Sequence, residues 1–174
     1  MSTPEPDTRN PDADPAATTS RHVVTFHLGR ETYAVEIART KEIILYGEIT
    51  RVPQMPDYVR GIINLRGSVI PVIDLRAAFE MERRDPDELS RIIIVRMDQR
   101  VVGLVVDAVS QVVKIPEAAV DPPPATIASL VGSHLTGVAK TDERMILLLD
   151  IDRLLTGAQQ GRLGEAADAL TNNG

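Results

Sequence analysis

The feature that most constrains this chain is a two-residue rhythm of apolar side chains, broken at short intervals by turns. Val24, Phe26 and Leu28 alternate with Thr25 and His27. A turn at Gly29-Arg30-Glu31 follows, and then Tyr33, Val35 and Ile37 alternate with Ala34 and Glu36. Successive side chains of a strand point to opposite faces, so this period describes a hairpin with one buried face. The same pattern predicts a second hairpin from Gly61–Leu65 and Val69–Ile73 around Arg66-Gly67. It predicts a third from Ile92–Met97 and Val101–Val106 around Asp98-Gln99, and a fourth from Leu135–Ala139 and Met145–Leu149 around Thr141–Glu143. Pro71 cannot donate to a ladder, so the second hairpin is expected to hold an edge strand or a bulge. Asp74 before Leu75–Phe79 and Asp150 before Ile151–Leu155 predict strands running into an Asp-capped turn of helix. Many short strands with frequent turns suit small barrels or a sandwich.

Composition agrees with a β-rich body. Of 174 residues 43% are hydrophobic but only 3% aromatic, so the apolar mass is Val, Ile and Leu. That length suffices for one medium domain or two small ones sharing a core. Cys is absent, which removes disulfides, thiolate metal sites and thiol catalysis and fits a reducing compartment. The formal charge of −6 and the few aromatics speak against nucleic acid, whose binders need a basic face and stacking rings. The first residues lack the basic start and apolar stretch of a secretory signal. The longest apolar run, Val101 to Val113, is interrupted by Asp107, Ser110 and Gln111 and is too short to span a bilayer. A cytoplasmic protein with no direct membrane insertion is expected. Residues 1–20, acidic and carrying Pro4, Pro6, Pro11 and Pro15, read as a disordered tail. The folded body is expected over 21–156, and 157–174 as a tail or short helix.

The two halves of that body resemble each other. With Ala34 set against Gly103, Phe26 meets Val95, Ile37 meets Val106, Ile43 meets Val112 and Pro53 meets Pro122. Gly61 and Asp74 are spaced as Gly137 and Asp150 are. A repeat spanning roughly 22–74 and 91–150 implies two similar β-units with a seam between them, and such seams are preferred binding places.

Catalytic signatures are missing. No phosphate-binding glycine loop, dinucleotide fingerprint or nucleophile elbow occurs. His22 and His27 fall on opposite faces of one strand and read as solvent-facing or packed. Asp74, Asp107, Asp150 and Asp152 offer either a carboxylate cluster for a small hydrolase or, more simply, caps for local backbone donors. The mid-chain segment stands out instead: Arg60-Gly61 and Arg66-Gly67 bracket an apolar strand, with Arg66 at the turn. Adjacent Ile43 and Ile44 put an aliphatic residue on each face of one strand. Either one faces a partner or both are buried.

Taken together, Phe26-x-Leu-Gly-x-Glu-x-Tyr33, Glu42-Ile43, Ile49-Thr-Arg-Val-Pro53 and Gly61-x-x-Asn-Leu-Arg-Gly-x-Val-Ile-Pro-Val-Ile-Asp-Leu-Arg76 resemble the CheW family. Gly103-Leu-x-Val-Asp107, the prolines at 122–124, Leu135–Lys140 and Arg144–Asp150 continue the likeness, which covers about 22–156. The resemblance implies an all-β protein with a few short helices, built as two SH3-like five-stranded barrel subdomains around a shared hydrophobic core. It implies a non-enzymatic adaptor without cofactor or metal, coupling the cytoplasmic tip of chemoreceptors to the regulatory domain of a CheA-type histidine kinase. By position, Thr40, Glu42, Ile43, Gly61, Arg66 and Val112 would form the receptor groove, and Asp121, Pro122 and Thr126 would contact the kinase. Thr40 and Ala34 depart from the residues common in the family, which leaves partner identity open. The same adaptor role in pilus motility, biofilm formation or development is the alternative, with a β-barrel nucleic-acid module further behind. The length leaves no room for an appended receiver domain of the CheV kind.

Overall fold

The computed structural model describes residues 19–123, 134–141 and 144–154. Its strands are β1 (Ser20–Leu28), β2 (Glu31–Glu36), β3 (Thr40–Leu45), β4 (Val59–Leu65), β5 (Ser68–Asp74), β6 (Arg91–Met97), β7 (Arg100–Val106), β8 (Ala108–Pro116), β9 (Val120–Asp121), β10 (Leu135–Lys140) and β11 (Met145–Leu149). One short helix, α1 (Leu75–Ala78), and 3-10 turns at Ile37–Arg39, Glu117–Ala119 and Ile151–Arg153 complete the described elements. No helix among the described residues is long and apolar enough to cross a membrane.

All four hairpins form, closed by the pairs Leu28–Glu31, Leu65–Ser68, Met97–Arg100 and Lys140–Met145. In the second, Arg66 and Gly67 both hold positive φ (52° and 90°), the geometry that matches a two-residue turn to the twist of its strands. Asn64 Oδ1 accepts from Gly67 N at 2.9 Å and braces that turn. Of the fourth turn, Asp142 and Glu143 lie outside the described residues, but Thr141 N reaches Arg144 O at 2.9 Å across it.

The strands form a six-stranded sheet, β8-β1-β2-β11-β10-β9, and a five-stranded sheet, β3-β6-β7-β5-β4. In order along the chain, β1 to β5 with α1 can be set against β6, β7, β8, β10 and β11 with the last 3-10 turn. Exchanging the halves converts the order of the five-stranded sheet into β8-β1-β2-β11-β10. Each sheet is nevertheless assembled from both halves. The β1–β2 hairpin joins β8, β10 and β11, with β2 parallel to β11, while β6–β7 joins β3, β4 and β5, with β7 parallel to β5. A half of the sequence therefore does not correspond to a sheet.

The expected all-β body of two packed β-units with few short helices is the one found, and among the described residues neither sheet closes its ladder on itself. The outer edge of β4 is already taken by Thr50, which exchanges two 2.9 Å backbone bonds with Ile62. The outer edge of β10 is likewise taken by β9. With Thr50 and β9 on those edges, β3 and β8 pair on one side only among the described residues.

The second hairpin holds both features expected of it, an edge strand in β4 and a bulge between Val59 and Gly61, while Pro71 itself lies on the interior strand β5. It is tolerated because the parallel ladder to β7 starts only at Val72, so Pro71 has β4 on one side and no strand on the other. The capped turns are as expected. Asp74 accepts from the backbone N–H groups of Arg76 and Ala77, and Asp150 from that of Asp152.

Three apolar clusters hold the body together. The largest lies between the sheets and includes Phe26, Leu28, Ile73, Ile93, Val95, Leu104 and Leu149. Each sheet also curls around a cluster of its own, one with Val23, Ala34, Ile115, Ile146 and Leu148, the other with Ile70, Val72, Ile92 and Ile94. The run Ile92–Val95 is thus buried on both faces. A ladder of rings, Phe26–Tyr33–Phe79–His134, with centroids 6.0, 5.7 and 5.1 Å apart, crosses the shared core.

Candidate functional site

Strand β3 is an edge strand, paired only with β6, and Lys41 is an extra residue in its ladder: Thr40 faces Val95 and Glu42 already faces Ile94. Bulges on edge strands re-aim side chains and discourage indiscriminate pairing. Beyond the bulge the strand alternates. Glu42 and Ile44 turn inward, where Ile44 packs on the cluster of the five-stranded sheet, while Ile43 and Leu45 turn outward. Of the two readings left open for Ile43 and Ile44, one face to the core and one to solvent is the arrangement found. Leu45 is 71% exposed. It was missed by reasoning on the Ile43–Ile44 pair, although its parity with Ile43 was a usable signal.

Glu42 does not project freely. Arg66, from the β4–β5 turn, forms a hydrogen-bonded ion pair with it. Since β3 and β4 are opposite edges of the same sheet, this contact spans the gap that no backbone ladder closes. Arg66 remains 71% exposed at its side chain and so still offers its guanidinium outward. Thr40, half-buried, donates its hydroxyl to Glu36 O at 3.1 Å. Gly61 is buried. A Cβ on it would lie 2.1 Å from Thr50 O, and its φ is +150°, so its place is to let the chain before β4 approach. Val112, 59% exposed, sits on β8, the edge strand of the other sheet, at the position corresponding to Ile43. The structure therefore brings Glu42 and Arg66 into contact with Thr40 and Ile43 alongside on β3, seats Gly61 against Ile49 and Thr50, and puts Val112 on the other sheet.

Asp121 and Pro122 are exposed at β9, the far edge of the six-stranded sheet. Thr126 lies outside the described residues.

The four aspartates do not converge on one point. Asp74 caps α1 and pairs with Arg60 at 3.0 Å. Asp107 accepts from Gly29 N at 2.7 Å and pairs with Arg76 at 2.6 Å and Arg84 at 3.1 Å. Asp152 accepts from Asp98 N at 3.0 Å and pairs with Arg39. Burial alone would push the Asp107 carboxyl up, but Arg76, the Gly29 N–H and Arg84 outweigh it and hold it below the usual carboxylate range. Asp152 is held down chiefly by its hydrogen bond from Arg39. Asp107 and Asp152 were expected to satisfy nearby backbone; instead they reach hairpin turns distant in sequence. His22 is exposed, and His27 Nδ1 lies 3.5 Å from Thr32 Oγ1. These groups serve caps and latches, and the surface presents an apolar, charge-flanked edge at β3.

Residues 22–159 match the family described as CheW-like domain. The chain is 36% identical over 150 residues to "Chemotaxis protein CheW" of Klebsiella aerogenes, covering 86% of this chain and 90% of that protein. It is 29% identical over 137 residues to "Protein FrzA" of Myxococcus xanthus, covering 78% and 85%. Among solved structures, the scaffolding protein TtCheW from Thermoanaerobacter tengcongensis superposes with a TM-score of 0.75 at 37% identity, covering 81% of this chain and 96% of that one.

Proposed function

We propose, from the premise that this chain belongs to the CheW family of non-enzymatic scaffolds coupling chemoreceptors to the CheA kinase, that β3 and the β4–β5 turn form its receptor-docking edge. The observation that carries this is the Glu42–Arg66 pair set beside outward-facing Ile43 and Leu45 on an edge strand. An amphipathic helical hairpin tip presents an apolar stripe flanked by charge. Ile43 and Leu45 supply the complementary apolar contact, and the exposed cation of Arg66 sets register. Thr40 and Gly61 then act as supports, one ordering the entry to β3 and the other the packing beneath β4. Val112 extends the surface onto the second sheet. Asp121, Pro122 and the segment through Thr126 are assigned to the regulatory domain of the kinase, at the opposite edge from β8. The adaptor works in the cytoplasm, recruited to receptor arrays at the inner face of the membrane, where many modest contacts add through high effective concentration.

Arg66→Glu tests this reading. The side chain is mostly exposed, so the substitution should cost no more than about 1 kcal/mol of stability. Co-sedimentation with receptor-containing membranes and kinase should nevertheless fall, and fall further with Ile43→Asp. Undiminished co-sedimentation of a folded double variant would remove the assignment.

A further inference from the structure

The two sheets differ at the gap their ladders leave. In the five-stranded sheet it is bridged by Arg66 and Glu42. The corresponding positions of the other half carry Gln111 and Asp142, which include no cation, and between β8 and the β10–β11 hairpin a cleft of about 620 Å³ remains. Its floor is apolar, with Ile115 and Ile146, and its polar lining is cationic: Lys114, Lys140 and Arg144, with Thr25 and Thr32 hydroxyls between. None of its described lining residues is acidic, in a chain whose net charge is −6.

We propose that this cleft is the docking site of the chain's own N-terminal segment, residues 1–18. Three observations select that occupant. The segment carries Glu5, Asp7, Asp12 and Asp14 against Arg9 alone, so its charge complements the cleft. It joins the fold at the cleft's rim: Ser20 pairs with Pro116, a lining residue, and Thr19 O accepts from Glu117 N at 3.1 Å. Its span of up to about 60 Å when extended is ample to cross the cleft. A tether this short holds the acids at an effective concentration of order millimolar, so individually weak contacts suffice. The docked segment covers the open edge of β8 and competes with any acidic partner strand offered to it.

The chain has no cysteine, so Ala13→Cys gives a single spin-label site in the full-length protein. Amide signals of Lys140, Thr141 and Ile146, on the far wall of the cleft, should broaden at low salt. The broadening should be lost in 0.5 M salt and in a Lys114→Gln, Lys140→Gln, Arg144→Gln variant. Broadening that persists unchanged at high salt, or is confined to the neighbours of Thr19, would overturn the proposal. If broadening appears only between labelled and unlabelled copies mixed together, the segment docks in trans and the intramolecular assignment fails. The salt arm uses the unaltered cleft, so the test stands even if the triple variant does not fold.

Discussion

Single residues in this chain carry different burdens according to what surrounds their Cβ and their charge. At Gly61 an added Cβ would meet a backbone carbonyl oxygen at 2.1 Å, and the residue holds φ +150°, so neither steric relief nor a rotamer change is open to it. Gly61→Ala should cost about 2–3 kcal/mol, read as a lowered urea midpoint with unchanged slope. At Gly137, its counterpart, the nearest atom is a Val120 methyl carbon, and Gly137→Ala should cost less. Asp107 shows the electrostatic case. Its carboxyl is ionised more readily in the folded protein than in the unfolded chain, so between the two pKa values the unfolded state binds more protons. Its contribution is fully present above the unfolded value of about 4 and is lost as pH falls toward the depressed folded value. Asp107→Asn should cost about 2–3 kcal/mol at neutral pH, because it strands Arg76, whose side chain is only 14% exposed. It should also flatten the loss of stability between about pH 5 and 3, measured by urea denaturation across that range.

At the level of elements, the repeat is expressed as paired latches. The β1–β2 turn is held through Gly29 N to Asp107, which also pairs with Arg76 after β5; the β6–β7 turn is held through Asp98 N to Asp152, which pairs with Arg39 after β2. Arg76 and Asp152 occupy corresponding positions after β5 and β11, and Asp107 and Arg39 both follow the second strand of their half. The same latch is therefore built twice with opposite polarity. A contact that works in either polarity is an argument for charge pairing rather than for a particular residue type. Arg39→Asp with Asp152→Arg should recover part of the stability that each change loses alone. A double-mutant cycle should give a coupling of about 0.2–1 kcal/mol, since both side chains are over a third exposed. Hairpins and capped turns were legible from the sequence because each depends on residues within a few positions of one another. Which strand became the edge was not: Pro71 signalled an edge strand or a bulge in its hairpin, and both fell on β4, because β7, from some thirty residues away, pairs with β5 and starts only past Pro71.

For the molecule as a whole, the interleaving of halves decides how it unfolds. Because β1–β2 completes the sheet of β8, β10 and β11, and β6–β7 completes that of β3 to β5, neither half can bury its strands alone. Thermal unfolding should be one cooperative transition, with calorimetric and van't Hoff enthalpies in agreement. A fragment covering 91–154 should stay unfolded until a fragment covering 19–90 is added, as followed by circular dichroism. Two resolved transitions, or a folded lone fragment, would contradict this. The docking edge belongs to the same scale. Ile43 and Arg66 stand far apart in sequence and their relation could be suggested only by family resemblance, whereas the curl of the sheet sets Glu42 and Arg66 in contact.

Read alone, the amino-acid order determined what is local: the period-two strands, the Arg66-Gly67 turn and the Asp caps. Each of these is governed by backbone sterics or by the alternation of side chains along a few residues. Only the tertiary structure decided which hairpin joined which sheet, that neither sheet closed, and that one gap is bridged by Arg66 and Glu42 while the other stands open and cationic. Those outcomes depend on competition for the same strand edges among segments distant in sequence. Thr50 and β9 occupy the edges of β4 and β10, and no short-range pattern records that pairing.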